Sequence, residues 1–278
     1  MKKKLFAIVL GLVLILTACG SNKDDQKAEA PAENAPAESN EIVIGVSPVP
    51  HEEIIENLKD DFKEAGLDVK VVVFDDYIQP NIQTNEGDLD ANFYQHTPYL
   101  DAFNKEQGTD LVSIGGVHIE PLGVYSDKIS DLNDLPEGAT IIIPNDTSNG
   151  ARALLILEKN GVIKLKDSTD VNATEQDIVE NPKNIKFVPM EAASIAGVYK
   201  DADAAVINSN YALGAGLNPG TDSIAIEDAV DNPYANIVVV KNGREGEEKF
   251  KKFMEVLQSE KTKKFIEEKY EGAIIPAF

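Results

Sequence analysis

The sequence predicts an α/β fold built as two lobes, and three observations support this prediction. From Glu41 onward, short β-rich runs alternate with helical patterns, as in largely parallel sheets that are covered by helices on both faces. Two apolar runs are predicted to be the segments where the chain crosses from one lobe to the other. At about 150 residues per domain, the chain after Glu41 is long enough for one large domain or two small ones.

The chain begins with the layout of an export signal. Lys2–Lys4 precede an apolar run, Leu5–Leu16, and Leu16-Thr17-Ala18-Cys19 resembles a bacterial lipobox. An apolar run of about 12 residues is too short to span a bilayer, which needs roughly 20. We expect a signal peptide at 1–18, cleavage before Cys19 and lipid, such as palmitate, on that residue. An ordinary signal peptide or a short membrane anchor is the alternative.

Residues 19–40 are predicted to be the lipidated cysteine and a flexible tether. After Cys19 this segment has no aromatic residue and no aliphatic side chain larger than Ala, so it cannot bury enough surface to offset its ordering entropy. A coil of this length reaches about 25 Å. The lipid and tether would hold a folded domain at the extracytoplasmic face of the cell membrane. An interaction tail is the alternative.

Hydrophobic periodicity predicts the elements of the folded part. Strands are predicted at the apolar runs Ile42–Val46, Val69–Phe74, Ser113–Val117, Thr140–Pro144, Ile185–Val188, Ala204–Ile207 and Ile237–Val240. One helix is predicted over His51–Ala65, because Ile54, Ile55, Leu58 and Phe62 share a face and Gly66 follows. Further helices are predicted over Asn149–Lys159 and Glu245–Tyr270, with a break in the second near Ser259.

The predicted crossings divide the chain into two lobes. Pro121–Ser126 would leave the first lobe and Asn236–Val240 would return to it. The first lobe would then be 41–123 plus 232–278, and the second 124–231. Because ligands of α/β proteins bind beyond the carboxyl ends of strands, the cleft between the lobes is the predicted site.

The composition excludes several classes of function. The net charge is −22, so we expect no nucleic-acid partner. Cys19 is the only cysteine, which leaves no disulfide and no thiolate metal site. The H-E-x-x-H, G-x-S-x-G and phosphate-loop motifs are absent, so we expect no enzyme activity, no catalytic residue and no cofactor. A secreted enzyme that uses Asp, Glu and His in the cleft is the alternative.

The three histidines do not form a metal-binding motif in the sequence. His51, His96 and His118 fall in separate elements and lack the short spacing typical of metal ligands. The sequence therefore predicts no metal site.

The segment 145–152 has the chemistry of an anion site. It follows a predicted strand and opens a helix, where Asp146 or Thr147 can cap the first turn and the helix dipole favours an anion. Asn149 and Arg152 share a helix face, so a guanidinium with an amide beside it could hold a carboxylate. A surface salt bridge of Arg152 is the alternative.

Aromatic and polar residues concentrate at Asn92–Leu100, which follows a predicted strand. Tyr94, His96 and Tyr99 of this segment could form an aromatic cage with Tyr77, and such a cage would suit a thioether. Packing of these rings in the core is the alternative. Asn208–Tyr211 also follows a predicted strand and is a weaker indication of the same kind.

Six segments in this order resemble the methionine-binding lipoproteins of bacterial ABC importers: Asn92–Leu100, Ile119–Ser126, Ile143–Arg152, Asn181–Asn184, Ala205–Asn208 and Pro233–Asn236. The similarity runs from about Ile42 to the C-terminus. It implies a two-lobed periplasmic-binding-protein fold that closes on L-methionine or a close relative and delivers it to a permease driven by an ATPase. We expect a monomer.

The resemblance also implies a role for individual residues. Arg152 would pair with the ligand carboxylate, helped by Asn149. Asn208 and Asn236 would contact the amino-acid backbone. The remaining residues would wall the side-chain pocket: Tyr77, Tyr94, His96 and Tyr99.

The ligand stays open because Ser194–Tyr199 stands where many methionine binders carry a Pro-Arg-Ser-Leu-like run. D-methionine, methionine sulfoxide, a methionine dipeptide or another apolar amino acid are the alternatives to L-methionine. A surface-anchored binding or adhesion protein with another small ligand, or one that binds host molecules, is the alternative function.

Overall fold

The computed structural model describes residues 39–230 and 232–278. The predicted signal peptide, the lipidated Cys19 and nearly all of the predicted tether lie outside the described residues. Within the two described ranges, no helix is both long and apolar enough to cross a membrane.

Strands and helices alternate along the described chain. The strands are β1 Glu41–Val46, β2 Asp68–Val73, β3 Ala91–His96, β4 Leu111–Ile119, β5 Gly123–Tyr125, β6 Thr140–Pro144, β7 Lys164–Leu165, β8 Ile178–Glu180, β9 Lys186–Met190, β10 Ala204–Ile207, β11 Ala225–Ile226, β12 Ala235–Lys241 and β13 Ile275–Pro276. The helices are α1 Glu53–Asn57, α2 Lys59–Glu64, α3 Gln79–Glu86, α4 Thr97–Gln107, α5 Thr147–Lys159, α6 Ala192–Val198, α7 Ser209–Gly214, α8 Pro219–Asp222, α9 Glu248–Leu257 and α10 Glu260–Tyr270.

Two mixed sheets form the two lobes of a periplasmic-binding-protein fold. The first sheet has the strand order β13-β4-β12-β3-β1-β2 and the second β11-β5-β10-β6-β9. β1 runs parallel to β2 and β3, and β6 runs parallel to β9 and β10. β12 and β5, in contrast, run antiparallel to their neighbours.

The α/β prediction is confirmed, but the expectation of largely parallel sheets is wrong. The reason is the crossing itself. Strands such as β3 and β10 end at the cleft, whereas β5 and β12 enter their sheets from the cleft, so they run in the opposite direction.

Each sheet has its own apolar core. In the first lobe, Phe62 of α2 stacks on Phe253 of α9 with ring centroids 4.8 Å apart, and both rings are buried. In the second lobe, Leu154 of α5 belongs to a buried cluster with Ile141 and Val206 of neighbouring strands. The two cores give the residues of the cleft rigid supports on both sides.

The helix predicted over His51–Ala65 is interrupted. An irregular helical turn at Pro48–Glu52 precedes α1, and Leu58 leaves helical geometry (φ −102°, ψ 7°) before α2 begins. The side chain of Leu58 is nevertheless fully buried, so packing outweighs helix continuity here. The predicted break near Ser259 is confirmed, since Ser259 caps the start of α10.

The chain passes between the sheets twice, after β4 and after β11. The first passage, 120–122, contains Glu120, and the second, which includes residue 231 outside the described ranges, begins at Glu227. The lobe bounds 41–123 plus 232–278 and 124–231 stay a prediction. The first passage brings the Glu120 carboxylate to the cleft, and the second brings the Glu227 carboxylate to Arg152.

Candidate functional site

A cavity of about 320 Å³ lies in the cleft between the sheets. Every residue that the sequence predicts as ligand-binding lines it: Tyr77, Tyr94, His96, Tyr99, Asn149, Arg152, Asn208 and Asn236. The remaining lining residues are Gln95, Glu120, Ser209 and Asn210. The prediction that these residues contact a ligand stays a prediction.

Arg152 projects from the first turns of α5, whose N-cap is Asp146. The Asp146 carboxylate accepts a hydrogen bond from Asn149 N at 2.9 Å, as the capping prediction requires. This cap fixes the register of the helix, which places Asn149 and Arg152 at the cavity. The guanidinium is only 3% exposed, so the alternative of a surface salt bridge does not describe it.

The partner of Arg152 is Glu227 of the second passage. Arg152 Nε lies 2.9 and 3.0 Å from the two carboxylate oxygens, and Nη2 donates both to Glu227 and, at 2.7 Å, to the backbone oxygen of Glu120. The Tyr234 ring lies 4.3 Å from the guanidinium carbon. Among the described residues, Nη1 has no hydrogen-bond partner, which makes it the donor available to a ligand.

The charges of this pair are stable at neutral pH. Burial lowers the pKa of Arg152, but Glu227 outweighs burial and raises it above the usual value. Burial raises the pKa of Glu227, but Arg152 outweighs burial and holds it below the usual value. Both side chains are therefore ionised at pH 7, and the pair is electrically neutral.

Glu120 lies in a buried cluster with two histidines. Its Oε1 is 2.8 Å from His118 Nε2 and 3.3 Å from His51 Nε2. Burial raises the pKa of Glu120, while His51 and Arg152 act to lower it. Burial lowers the pKa of His51 to about 4 and that of His118 to about 3, so both rings are neutral at pH 7.

Two of the three histidines come together in the fold, although they lie in separate elements. β4 places His118 beside the helical turn that carries His51, and the ring centroids are 4.9 Å apart. One atom each of His51, His118 and Glu120 lies within 4.8 Å of the others, which is close enough for three metal ligands. Because His118 Nε2 lies at hydrogen-bond distance from Glu120 and His51 Nε2 from Asn236, we interpret the group as a hydrogen-bonded cluster.

Tyrosine rings form one wall of the cavity. The ring centroid of Tyr77 lies 5.7 Å from those of Tyr94 and Tyr99 and 5.0 Å from that of Tyr211. The hydroxyls of Tyr94 and Tyr99 both donate to the backbone oxygen of Tyr77, at 2.7 and 3.0 Å. Burial raises the pKa of these phenols, so they remain neutral donors. The wall therefore presents apolar ring faces, and the hydroxyls of Tyr94 and Tyr99 are already engaged in hydrogen bonds within the protein.

Polar contacts connect the two lobes across the cavity. His96 Nε2 lies 3.1 Å from Asn149 Oδ1, and the Tyr77 hydroxyl donates to Asn210 Oδ1 at 2.5 Å. Asn208 Nδ2 donates to the same Asn149 oxygen, but Asn208 Oδ1 is buried without a partner among the described residues. Burial and the nearby Arg152 lower the pKa of His96 to about 3.

The sequence did not single out Glu120 or Glu227 as site residues. Each is an acidic residue in a passage between strands, and the expectation that ligands bind where strands end could have drawn attention to both. Tyr234, which also lies in a passage between strands, was not singled out either. Gln95 was hidden in a strand, where its side chain joins a buried amide network with Asn81 and Asn92.

The chain is similar to characterised lipoproteins over nearly its whole length. The methionine-binding lipoprotein MetQ of Bacillus subtilis strain 168 is 42% identical over 281 residues, which cover 99% of this chain and 98% of that protein. The D-methionine-binding lipoprotein MetQ of Escherichia coli K12 is 37% identical, covering 99% of this chain and 98% of that protein.

A solved structure shares the fold. The nutrient binding protein from Burkholderia cenocepacia bound to methionine aligns with a TM-score of 0.82 and 44% identity, covering 85% of this chain and all of that chain. The family model described as NlpA lipoprotein matches residues 42–278, which include both sheets and the whole cavity. The chain therefore belongs to the NlpA lipoprotein family.

Proposed function

We propose that this protein is the extracytoplasmic substrate-binding component of an ABC importer and that it captures L-methionine or a close relative. The observation that carries the proposal is that a cationic and an acidic side chain, Arg152 and Glu120, line the same cavity as a wall of tyrosine rings. Arg152 Nη1 offers a donor to a carboxylate, and Glu120 offers an acceptor to an ammonium group. This arrangement is complementary to a free α-amino acid with an apolar side chain.

The net charge of the cavity supports a zwitterionic ligand. Glu227 already neutralises Arg152, so an anion without an ammonium group would meet only the negative charge of Glu120. A zwitterion satisfies both groups at once. Asn208 Oδ1, which has no hydrogen-bond partner among the described residues, supplies a further acceptor for the ammonium group.

The tyrosine wall supports an unbranched thioether side chain. Sulfur packs favourably against ring edges. The Tyr94 and Tyr99 hydroxyls already donate to a backbone oxygen, so they do not require a polar group on the ligand side chain. A ligand of nine heavy atoms gains at most about 1.5 kcal/mol per atom, so tight binding requires burial of nearly all of them. The buried lining supports such burial, since Arg152 is 3% exposed and Glu120 is 6% exposed.

The transport role combines these contacts with the predicted export signal. We propose that Cys19 carries lipid, that the protein is anchored at the extracytoplasmic face of the membrane as a monomer, and that it is not an enzyme. Ligand binding favours the closed lobes, and the permease distinguishes closed from open by differential contacts. The relatives named as methionine-binding lipoproteins support this assignment.

The test is calorimetric titration of the detergent-solubilised full chain after copurified ligand has been removed by unfolding and refolding. L-methionine, D-methionine and a methionine dipeptide are compared, and methioninol, in which a hydroxymethyl group replaces the carboxylate, is the matched control. We expect submicromolar binding of L-methionine. Methioninol should bind at least about 30-fold more weakly, because losing one partner of a buried charge pair costs about 2 kcal/mol or more.

The outcomes separate the alternatives. Preference for D-methionine or the dipeptide would retain the transport role and change the ligand. Equal binding of methioninol and methionine would contradict the role of Arg152. If no ligand gives measurable binding, the proposal that the protein is a methionine receptor is wrong.

A further inference from the structure

We propose that His51 and His118 are positioning residues that hold the Glu120 carboxylate in place for the ammonium group of the ligand. Tight binding then requires a ligand that carries an ammonium group. The inference rests on the proposed function, since it concerns how the same cavity selects its ligand. The geometry of three buried side chains carries it: His51 and His118 are fully buried, and Glu120 is 6% exposed.

The contacts of His51 fix which ring nitrogen carries its proton. Ser47 Oγ lies 2.6 Å from Nδ1, and Asn236 Oδ1 lies 3.0 Å from Nε2. Asn236 Oδ1 is an acceptor, so the ring presents Nε2–H to it and accepts from the Ser47 hydroxyl at Nδ1. The same Nε2 atom lies 3.3 Å from the Glu120 carboxylate. One imidazole thus orients two oxygens that border the cavity.

His118 reaches the same tautomer for a different reason. Its Nε2 is 2.8 Å from Glu120 Oε1, while its Nδ1 is buried and has no partner within the described residues. A proton on Nδ1 would bury an unpaired N–H, which is rarer in proteins than an unpaired acceptor. The proton therefore belongs on Nε2, where His118 donates to the carboxylate.

The two rings are held in place by Phe93. The Phe93 centroid lies 4.5 Å from that of His51 and 5.4 Å from that of His118, with nearly perpendicular ring planes. Neither imidazole can turn away from Glu120 without displacing this fully buried ring. The orientation of Glu120 is thus built into the core of the first lobe.

Neutral donors suit this task better than a cation would. Both imidazoles approach Oε1, and among the described residues Oε2 has no side-chain donor. Neutral N–H groups fix the carboxylate without cancelling its charge, whereas a lysine or arginine in their place would pair with it. The carboxylate stays available to a ligand ammonium, and a ligand without this group gives the buried carboxylate no cationic partner in addition to the imidazole donor.

The test uses a matched pair of variants, His118→Gln and His118→Met, in the detergent-solubilised full chain. The two new side chains have nearly the same shape, but only glutamine can donate to Glu120. Each variant is titrated with L-methionine and with 4-(methylthio)butanoic acid, which lacks only the ammonium group. For His118→Met we expect L-methionine to bind roughly 10-fold or more weakly, as for the loss of a hydrogen bond to a charged group. The acid should change less than about threefold, and His118→Gln should stay near wild type for both ligands.

The outcomes are distinguishable from those of the proposed function. If the wild-type chain fails to bind L-methionine, both the function and the inference are overturned. If it binds, and His118→Met weakens both ligands equally or neither, the inference alone is wrong, because a merely structural role would not distinguish them.

A second measurement does not depend on any variant folding. Nitrogen-15 spectra of histidine-labelled wild-type protein report the tautomer of each ring. We expect His51 and His118 both to carry the proton on Nε2. A proton on Nδ1 of His118 would overturn the inference.

Discussion

Arg152→Ala tests the buried ion pair as well as ligand binding. From the sequence, this change is expected to abolish most binding and leave the protein folded. The structure adds a cost, because Glu227 is 16% exposed and would lose the guanidinium that neutralises it. Removing one partner of a buried pair typically destabilises a protein by about 3–5 kcal/mol.

A second variant shows how much of the expected loss of stability comes from the unpaired charge of Glu227. Arg152→Ala/Glu227→Gln removes the uncompensated charge while keeping an amide that can still accept from Leu122 N and Asn232. We expect the double variant to recover a large part of the lost stability. The single variant should melt roughly 6–20 °C below wild type, at about 2–4 °C per kcal/mol for a protein of this size.

The sign of the pH dependence gives an independent check. In Arg152→Ala the Glu227 carboxyl is buried without its cation, so its pKa in the folded state rises above that in the unfolded state. Such a group stabilises the folded state as pH falls, so the deficit against the double variant should shrink from pH 7 to pH 5. Urea unfolding of the ligand-free proteins measures this. A single variant within about 1 kcal/mol of wild type, or a double variant no more stable than the single, would refute the reasoning.

Two further predictions concern the contacts between the lobes. The pKa of His96 is about 3 in the folded protein, against the ordinary value of 6.5 for an exposed imidazole, so the unfolded chain takes up a proton first and stability is lost below pH 6.5. His96→Gln should therefore lose about 2 kcal/mol less than wild type between pH 7.5 and pH 5 in urea unfolding, and equal losses would contradict this. Tyr77→Phe removes the hydroxyl that donates to Asn210 and should weaken L-methionine binding roughly 3- to 10-fold by calorimetry, whereas Tyr199→Phe, outside the cavity lining, should not. Unchanged affinity of Tyr77→Phe would show that the contact does not support the closed lobes.

Local patterns allowed much of the site to be predicted. The strand ends and the start of α5 are marked by periodicity and by the Asp146 cap, and these positions determine which side chains reach the cleft. The aromatic cluster around Tyr94 and Tyr99 was recognisable because the residues lie close together in the chain. The alternative, that these rings serve only as core residues, does not describe them fully. The rings of Tyr94 and Tyr99 pack together and also line the cavity.

Contacts between distant parts of the chain could not be predicted in this way. Arg152 and Glu227 are 75 residues apart, and no periodic pattern links a helix to a loop in the second passage. The His51 and His118 cluster depends on the strand order of a mixed sheet, which the sequence did not reveal. Leu58 shows the same limit within one element, because a buried side chain ends a helix that its local pattern would continue.

The two passages between the lobes each carry a carboxylate next to the cavity: Glu120 lines it, and Glu227 pairs with Arg152, which lines it. Any rotation of one lobe against the other must change backbone torsions next to these groups. A ligand that orders Glu120 and Arg152 therefore also restrains the two connections on which that rotation depends. Occupancy of the cavity is in this way transmitted to the relative orientation of two outer surfaces, so a membrane partner that spans both lobes can detect the ligand without touching it.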